Sequence, residues 1–368
     1  MIIMNLELDN LFAFEKFKIN FSYPKKIINS SIEGEYLASK PNFRYKKINI
    51  LMGANASGKT SLGKALMFIF NVIKRKDLSL LYDYIRDNKE DAFFLIDFLV
   101  DENTLYRLDV EFSYDDVDWA IESSLCMELY SAKIAKNDSY ESCVNKLKSI
   151  IFVKDPDDYP LVLKKIPDFM WFFSFSEHDL KFDWSKGDIH LNILSNLLKV
   201  LDPQIERVEK STEVDNTYVI RSKNGDVLIQ NGEIIQNNIL SSGTKAGIDI
   251  SCIMSFMNSK KSAIYYCDEK LSYVHSDIEK AILSTMIDML PIGSQLFFTS
   301  HNLDLLDMCL PVHSFTFLRK APFIEAIDPS RLIKKNDVSL RRAVENDIFN
   351  IAPATSSIFS LGEDNEDV

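Results

Sequence analysis

Apolar and polar positions alternate over residues 1–22, with Ile3, Leu6 and Leu8 followed by Phe17, Ile19 and Phe21. A period of two marks a half-buried strand, so this segment predicts two short strands with a turn near Asp9-Asn10. After a loop rich in Ser, Pro and Lys, Lys47–Met52 is an apolar run of the kind found in strands buried on both faces. From Ser61 to Ile73 the apolar residues fall at helical spacing instead. Ala92–Val100 and Thr104–Tyr114 predict an antiparallel pair joined by Asp101-Glu102-Asn103. Asp115–Val200 has no glycine before Gly187 and reads as more helical, an inserted lobe of mainly helical composition. Strand signals return between Pro203 and Ile235, with turns at Asn224-Gly225 and Asn231-Gly232. Helices are expected on either side of the apolar run Ala263–Cys267, and Gln295–Thr299 is expected as the last core strand.

The pattern is that of an α/β chain with a mixed sheet, antiparallel at its N-terminal end. It divides into a first core segment (1–114), the inserted lobe (115–200), a second core segment (201–330) and an extension (331–368) ending in the acidic stretch Glu363–Asp367. No internal repeat of about 20–50 residues is visible.

The junction between the Lys47–Met52 strand and the Ser61–Ile73 helix reads Gly53-Ala54-Asn55-Ala56-Ser57-Gly58-Lys59-Thr60-Ser61. It satisfies G-x-x-x-x-G-K-[ST] in the strand-to-helix setting that the motif needs. Glycines let backbone N–H groups curl around phosphate oxygens, and the helix N-terminus adds the positive end of its dipole. Lys59 would reach the β- and γ-phosphates of ATP as a point charge, and the Thr60 hydroxyl would face Mg²⁺. Downstream, Ala263–Glu269 is an apolar strand ending in two adjacent carboxylates. At the carboxyl edge of a sheet Asp268 would hold the Mg²⁺ shell, while Glu269 would orient or deprotonate the attacking water. Elsewhere, an apolar run followed by Asp-Glu is a common strand end with solvated acids. Here the order and spacing behind a P-loop give it weight.

Charge and composition then narrow the partners. The 368 residues carry a net charge of −12, which repels a polyanion over most of the surface. The basic runs Arg44–Lys47, Lys74–Lys76 and Arg341-Arg342 are short, and solvated faces explain them best. A local basic groove can coexist with an acidic whole, so DNA stays open as a partner although composition weighs against it. The five cysteines form no C-x-x-C pair, which argues against a disulfide framework or a thiolate zinc site. The opening residues are too acidic for a signal peptide and no apolar run approaches about 18 residues, so a cytoplasmic protein without a membrane span is expected.

Between the P-loop and the acidic strand lies Leu240-Ser241-Ser242-Gly243-Thr244-Lys245 ahead of an apolar helix, and Leu296–Asn302 sets His301 just beyond a strand. With these four elements in order, the chain resembles the compact ABC-type ATPases of the SMC, RecF and OLD branch over most of residues 1–320. Leu8–Phe14 is similar to that branch's N-F-x-x-F opening, and Tyr273–Asp277 to its S-L-H-P segment. The resemblance implies that Leu240–Thr244 are the signature loop, docking on the γ-phosphate held by a second copy, and that His301 senses the γ-phosphate. It therefore implies a homodimer, or a higher homo-oligomer, closed through the ATP sites. Stand-alone members of this kind act in bacterial phage defence beside a separate nuclease or toxin, so a sensor or scaffold with such an effector is the expected role. A DNA-binding, RecF-like repair ATPase is the alternative.

Two departures stand out. Residues 61–203 contain no glutamine for the family's Q-loop, and Tyr273 and Ser276 replace a small residue and a proline. Only 180 residues separate Thr60 from Leu240, without sustained heptads, which rules out long coiled-coil arms. Glu33-Gly34-Glu35 lacks the preceding strand and downstream D-x-D of a nuclease, and no protease or esterase motif is present.

Overall fold

The computed structural model describes all residues except 28–29, 114, 118–119, 123, 156, 176–189, 231–232, 236–239, 334–338 and 353–368. The Asn231-Gly232 turn and the acidic Glu363–Asp367 stretch lie outside the described residues.

Two six-stranded sheets enclose the helix Lys59–Arg75. The first is antiparallel, in the order Lys148–Val153, Leu125–Lys133, Thr104–Phe112, Ala92–Leu99, Ile2–Asp9, Phe17–Asn20. The expected opening pair is present, with Asn5 opposite Asn20, although the connection runs from Asn10 to Lys16. The second sheet runs Trp171–Ser174, Ile264–Asp268, Gln295–Thr299, Ile48–Met52, Phe315–Lys320, Ile324–Ile327. Its first five strands are mutually parallel and the sixth returns antiparallel. All five residues are buried in each of the strands Ile48–Met52, Ile264–Asp268 and Gln295–Thr299, which is why they read as unbroken apolar runs.

Leu62, Leu66, Ile69 and Phe70 of the enclosed helix meet Leu6, Phe94 and Val110 on one side and Tyr266, Phe297 and Leu318 on the other. The helices Ser242–Asn258 and Ser276–Met289 cover the opposite face of the parallel sheet. A four-stranded meander, Ile205–Lys210 to Glu233–Ile235, packs with helix Leu191–Leu201 against Ile248 and Cys252. No helix among the described residues is long and apolar enough to cross a membrane.

Two expectations are corrected. Residues 115–200 hold strands as well as short helices, and three of those strands, Leu125–Lys133, Lys148–Val153 and Trp171–Ser174, join the core sheets. Leu125–Lys133 pairs along its whole length with Thr104–Phe112, and Trp171–Ser174 pairs in parallel with Ile264–Asp268. The physical reason was present in the alternation of Leu125, Met127 and Leu129, all buried, which is strand rather than helix spacing. Nor is Gln295–Thr299 the last core strand, because Phe315–Lys320 lies on the other side of Ile48–Met52 and adds a hairpin.

One buried network ties the inserted residues to the first sheet. Asp97 is fully buried; Arg107 donates to both its oxygens at 2.7 and 2.8 Å, and the Tyr140 hydroxyl donates at 2.5 Å. Removing one partner leaves a buried carboxylate short of donors. Arg107→Met is therefore expected to cost about 3–5 kcal/mol of unfolding free energy and Tyr140→Phe about 1 kcal/mol. Denaturant titration checks both, and equal losses would contradict the assignment.

Candidate functional site

The three parallel strands Ile48–Met52, Ile264–Asp268 and Gln295–Thr299 deliver their carboxyl ends to one place. That is where ligands bind in open α/β sheets. Gly53 follows the first strand so closely on its neighbour that a Cβ there would stand 2.3 Å from the Leu318 carbonyl oxygen. Gly58, at φ 102°, takes the left-handed turn that starts the Lys59–Arg75 helix, and a Cβ there would meet Ile324 at 2.7 Å. Ala56 is also left-handed, at φ 61°. The loop thus wraps a cradle at a helix N-terminus, as an anion site requires. The buried Ser57 Oγ has no hydrogen-bond partner among the described residues, a donor left for something the cradle would hold.

Lys59 is buried, and its ammonium points back into this cradle. It donates to the carbonyls of Gly53 at 2.8 Å and Ala54 at 3.1 Å, and pairs with Glu269 Oε1 at 3.1 Å. Asp268, fully buried, accepts from Thr60 Oγ1 at 2.6 Å and from Thr299 Oγ1 at 2.8 Å. Burial raises its pKa, and the Thr60 and Thr299 hydroxyls pull it back. Glu269 sits one residue on, in a left-handed turn at φ 46°, with its N–H held by Thr299 Oγ1 at 2.9 Å. Tyr266, from the same strand, donates to the Lys59 carbonyl at 2.7 Å and so fixes the helix start against the acidic strand. Thr60, Asp268, Glu269, Lys59 and the loop 53–61 therefore form one constellation.

His301 is exposed and lines a pocket of about 740 Å³ with Gly53, Ala54, Asn55, Leu303 and Phe317. Its turn is held from below by the buried Glu279, which accepts from Ser300 Oγ at 2.9 Å and Asn302 Nδ2 at 2.7 Å. Leu240–Thr244 stand elsewhere. Ser241 caps the helix Ser242–Asn258 by accepting from the Thr244 N–H at 3.1 Å, and its hydroxyl meets Thr244 Oγ1 at 2.7 Å. Ser241 and Ser242 are exposed at that helix start, and Ser241 is partnered within its own turn. Sequence patterns alone missed Thr299, Tyr266 and Glu279, which act on the site through contacts between distant segments.

Comparison with known proteins follows the same lines. A family model described as "AAA domain, putative AbiEii toxin, Type IV TA system" matches residues 48–307, most of the chain and every element of the site. The chain belongs to this family. Among solved structures it is similar to an SMC head bound to the C-winged helix domain of ScpA, with a TM-score of 0.51 at 14% identity, covering 90% of this chain and 100% of that one. An SMC head with an extended coiled coil from Pyrococcus furiosus gives 0.49 at 11% identity over 90% and 98% of the two chains. The recombination mediator RecF gives 0.37 at 11% over 88% and 98%. A search of curated proteins finds no match. Family and fold together make this an AAA-domain chain with the mixed α/β fold of an SMC-type ATPase head.

The metal that such a nucleotide site implies fits the residues present, since a threonine hydroxyl and a buried carboxylate already converge at 2.6 Å. Because burial lifts Asp268, a proton would compete with a metal held there at higher pH than for an ordinary aspartate. Mg²⁺ affinity in the presence of ATP is expected to fall, and proton release on binding to rise, as pH drops toward the raised value. Calorimetry in two buffers at mildly acidic and neutral pH checks this; a pH dependence unchanged in Asp268→Asn would refute it.

Proposed function

We propose that this chain binds ATP with Mg²⁺ at residues 53–61, hydrolyses it slowly and uses the cycle as a dimerisation switch. The observation that carries the reading is the ion pair of Lys59 with Glu269 inside the glycine cradle, beside Thr60 and Asp268. Lys59 is held by two carbonyls and Glu269. A γ-phosphate would compete for the same ammonium, leaving Glu269 free to orient or deprotonate a water. Thr60 and Asp268 would hold the metal, which when bound neutralises charge on the phosphate oxygens. His301 would lie beside the γ-phosphate, and Leu240–Thr244 would complete the site of a second copy.

In this reading residues 1–114 and 201–330 carry the ATPase motifs, 115–200 is an insertion that lends strands to both core sheets, and 331–368 is the extension. The biological role that fits is a sensor or scaffold subunit of a bacterial anti-phage system, cytoplasmic, holding a separate nuclease or toxin as effector. Three features support it: the switch residues stand without a recognised effector motif, the net charge is −12, and the family description names a Type IV TA system. Co-expression with neighbouring genes followed by pull-down is expected to recover an effector whose release changes in Glu269→Gln. Tight binding of duplex DNA, with DNA-stimulated ATPase activity that falls steeply with salt, would replace this role by the RecF-like repair alternative.

A further inference from the structure

Lys270 follows Glu269 directly, yet its side chain turns away from the nucleotide cradle and is buried. Its ammonium donates to the Phe175 carbonyl at 2.8 Å and pairs with Asp249 Oδ2 at 2.5 Å. Three elements meet on this one charge. Phe175 follows the edge strand Trp171–Ser174, Asp249 lies in the helix that starts at Ser242, and Lys270 itself belongs to the loop after Asp268. The same helix touches the same loop a second time, because a Cβ on Gly243 would stand 3.3 Å from Val274 Cγ1.

A purely mechanical strut would not need a lysine there. Burying an ammonium carries a desolvation cost, and an apolar side chain of similar volume often does at least as well for stability. What the ion pair adds is directional linkage. From Ser242 to Asp249 the helix spans about 10 Å of rigid rise, so a shift of Lys270 reaches the exposed serines at the helix start.

We propose that Lys270, through Asp249, is a positioning residue that couples the occupancy of a chain's own P-loop to the placement of its Ser241–Gly243 turn. The proposal rests on the nucleotide-switch reading above. When phosphate takes Lys59 from Glu269, the left-handed turn at Glu269 relaxes, and Lys270 on the same backbone carries the signature helix with it. Each chain thereby reports its bound nucleotide to the turn it offers its partner, which makes the two composite sites interdependent.

The test compares Asp249→Asn, Asp249→Glu, Lys270→Met and the double variant Asp249→Asn/Lys270→Met, using a slowly hydrolysed ATP analogue and amide hydrogen exchange over residues 245–252. Analogue binding is expected to protect these amides in wild type and in Asp249→Glu, but not in the other three. Analogue affinity stays within about threefold of wild type, while steady-state turnover falls roughly tenfold, inside the range of ordinary site-to-site couplings. The double variant falls no further than either single one, as members of one linkage should. Because the Asp249 side chain is 31% exposed, its variants remain folded and informative even if Lys270→Met does not. Protection retained in Asp249→Asn, or additive losses in the double variant, would overturn the coupling alone. If wild type fails to bind the analogue, or Lys59→Ala binds it equally well, the nucleotide-site reading falls and the coupling with it.

Discussion

Lys59→Ala is expected to weaken ATP binding by one to two orders of magnitude, whereas Glu269→Gln keeps or improves binding and loses turnover by roughly 10²–10⁴-fold. The two residues touch each other at 3.1 Å, so a difference between them cannot come from location. It comes from what each does. Lys59 would contact phosphate already in the ground state, and removing a charge-assisted contact of that kind lowers affinity. Glu269 would act on water in the transition state, so its amide loses kcat and little else. The pairing adds a finer expectation. Glu269, paired with the ammonium, would compete with phosphate for it, and glutamine would compete less. Glu269→Gln should therefore bind ATP at least as tightly as wild type. Calorimetry and phosphate-release assays on the three proteins separate these outcomes. Equal affinity in wild type and Lys59→Ala would sink the assignment of the P-loop.

The parts of the site visible in the sequence are those written in contiguous residues. The loop 53–60 fixes its own geometry through glycines and a helix start, and Asp268-Glu269 end a strand whose five residues are all buried. What stayed hidden depends on segments meeting in space. Thr299 is an ordinary strand residue until the parallel register sets it beside Asp268, and Glu279 is an ordinary helix acid until its buried carboxylate takes Ser300 and Asn302. The inserted segment failed differently. Leu125, Met127 and Leu129 carry strand periodicity, but the scarcity of glycine around them favoured a helical reading, and pairing with Thr104–Phe112 decided the matter. At the other end, Phe315–Lys320 is an apolar run whose place in the sheet follows from the one side of Ile48–Met52 left open by Gln295–Thr299.

The second large effect concerns two copies. Ser241 and Ser242 are exposed at a helix N-terminus, while His301 and Tyr273, at 71% accessibility, are exposed in the segments that follow Thr299 and Asp268. In the proposed switch the turn at this helix start would take an anion, and the P-loop of a second copy would present bound phosphate to it. Head-to-tail pairing of two chains with two-fold symmetry would satisfy both halves twice. Glu269→Gln with ATP is therefore expected to sediment as a dimer at micromolar concentration, and to return to monomer when Ser242→Arg fills the turn. Mixing gives the stricter result. Lys59→Ala lacks a working P-loop but offers an intact turn, and Ser242→Arg has the reverse defect. A mixed dimer contains one complete site and neither parent pairs with itself, so an equal mixture of two inactive proteins should regain at most about half of wild-type turnover if the sites work independently. If the sites are interdependent, the recovered rate falls below that value while the mixed dimer still forms. A mixture that stays inactive, together with a monomeric Glu269→Gln protein in saturating ATP, would mean that Leu240–Thr244 do not serve a second copy, and that each chain turns over ATP alone or not at all.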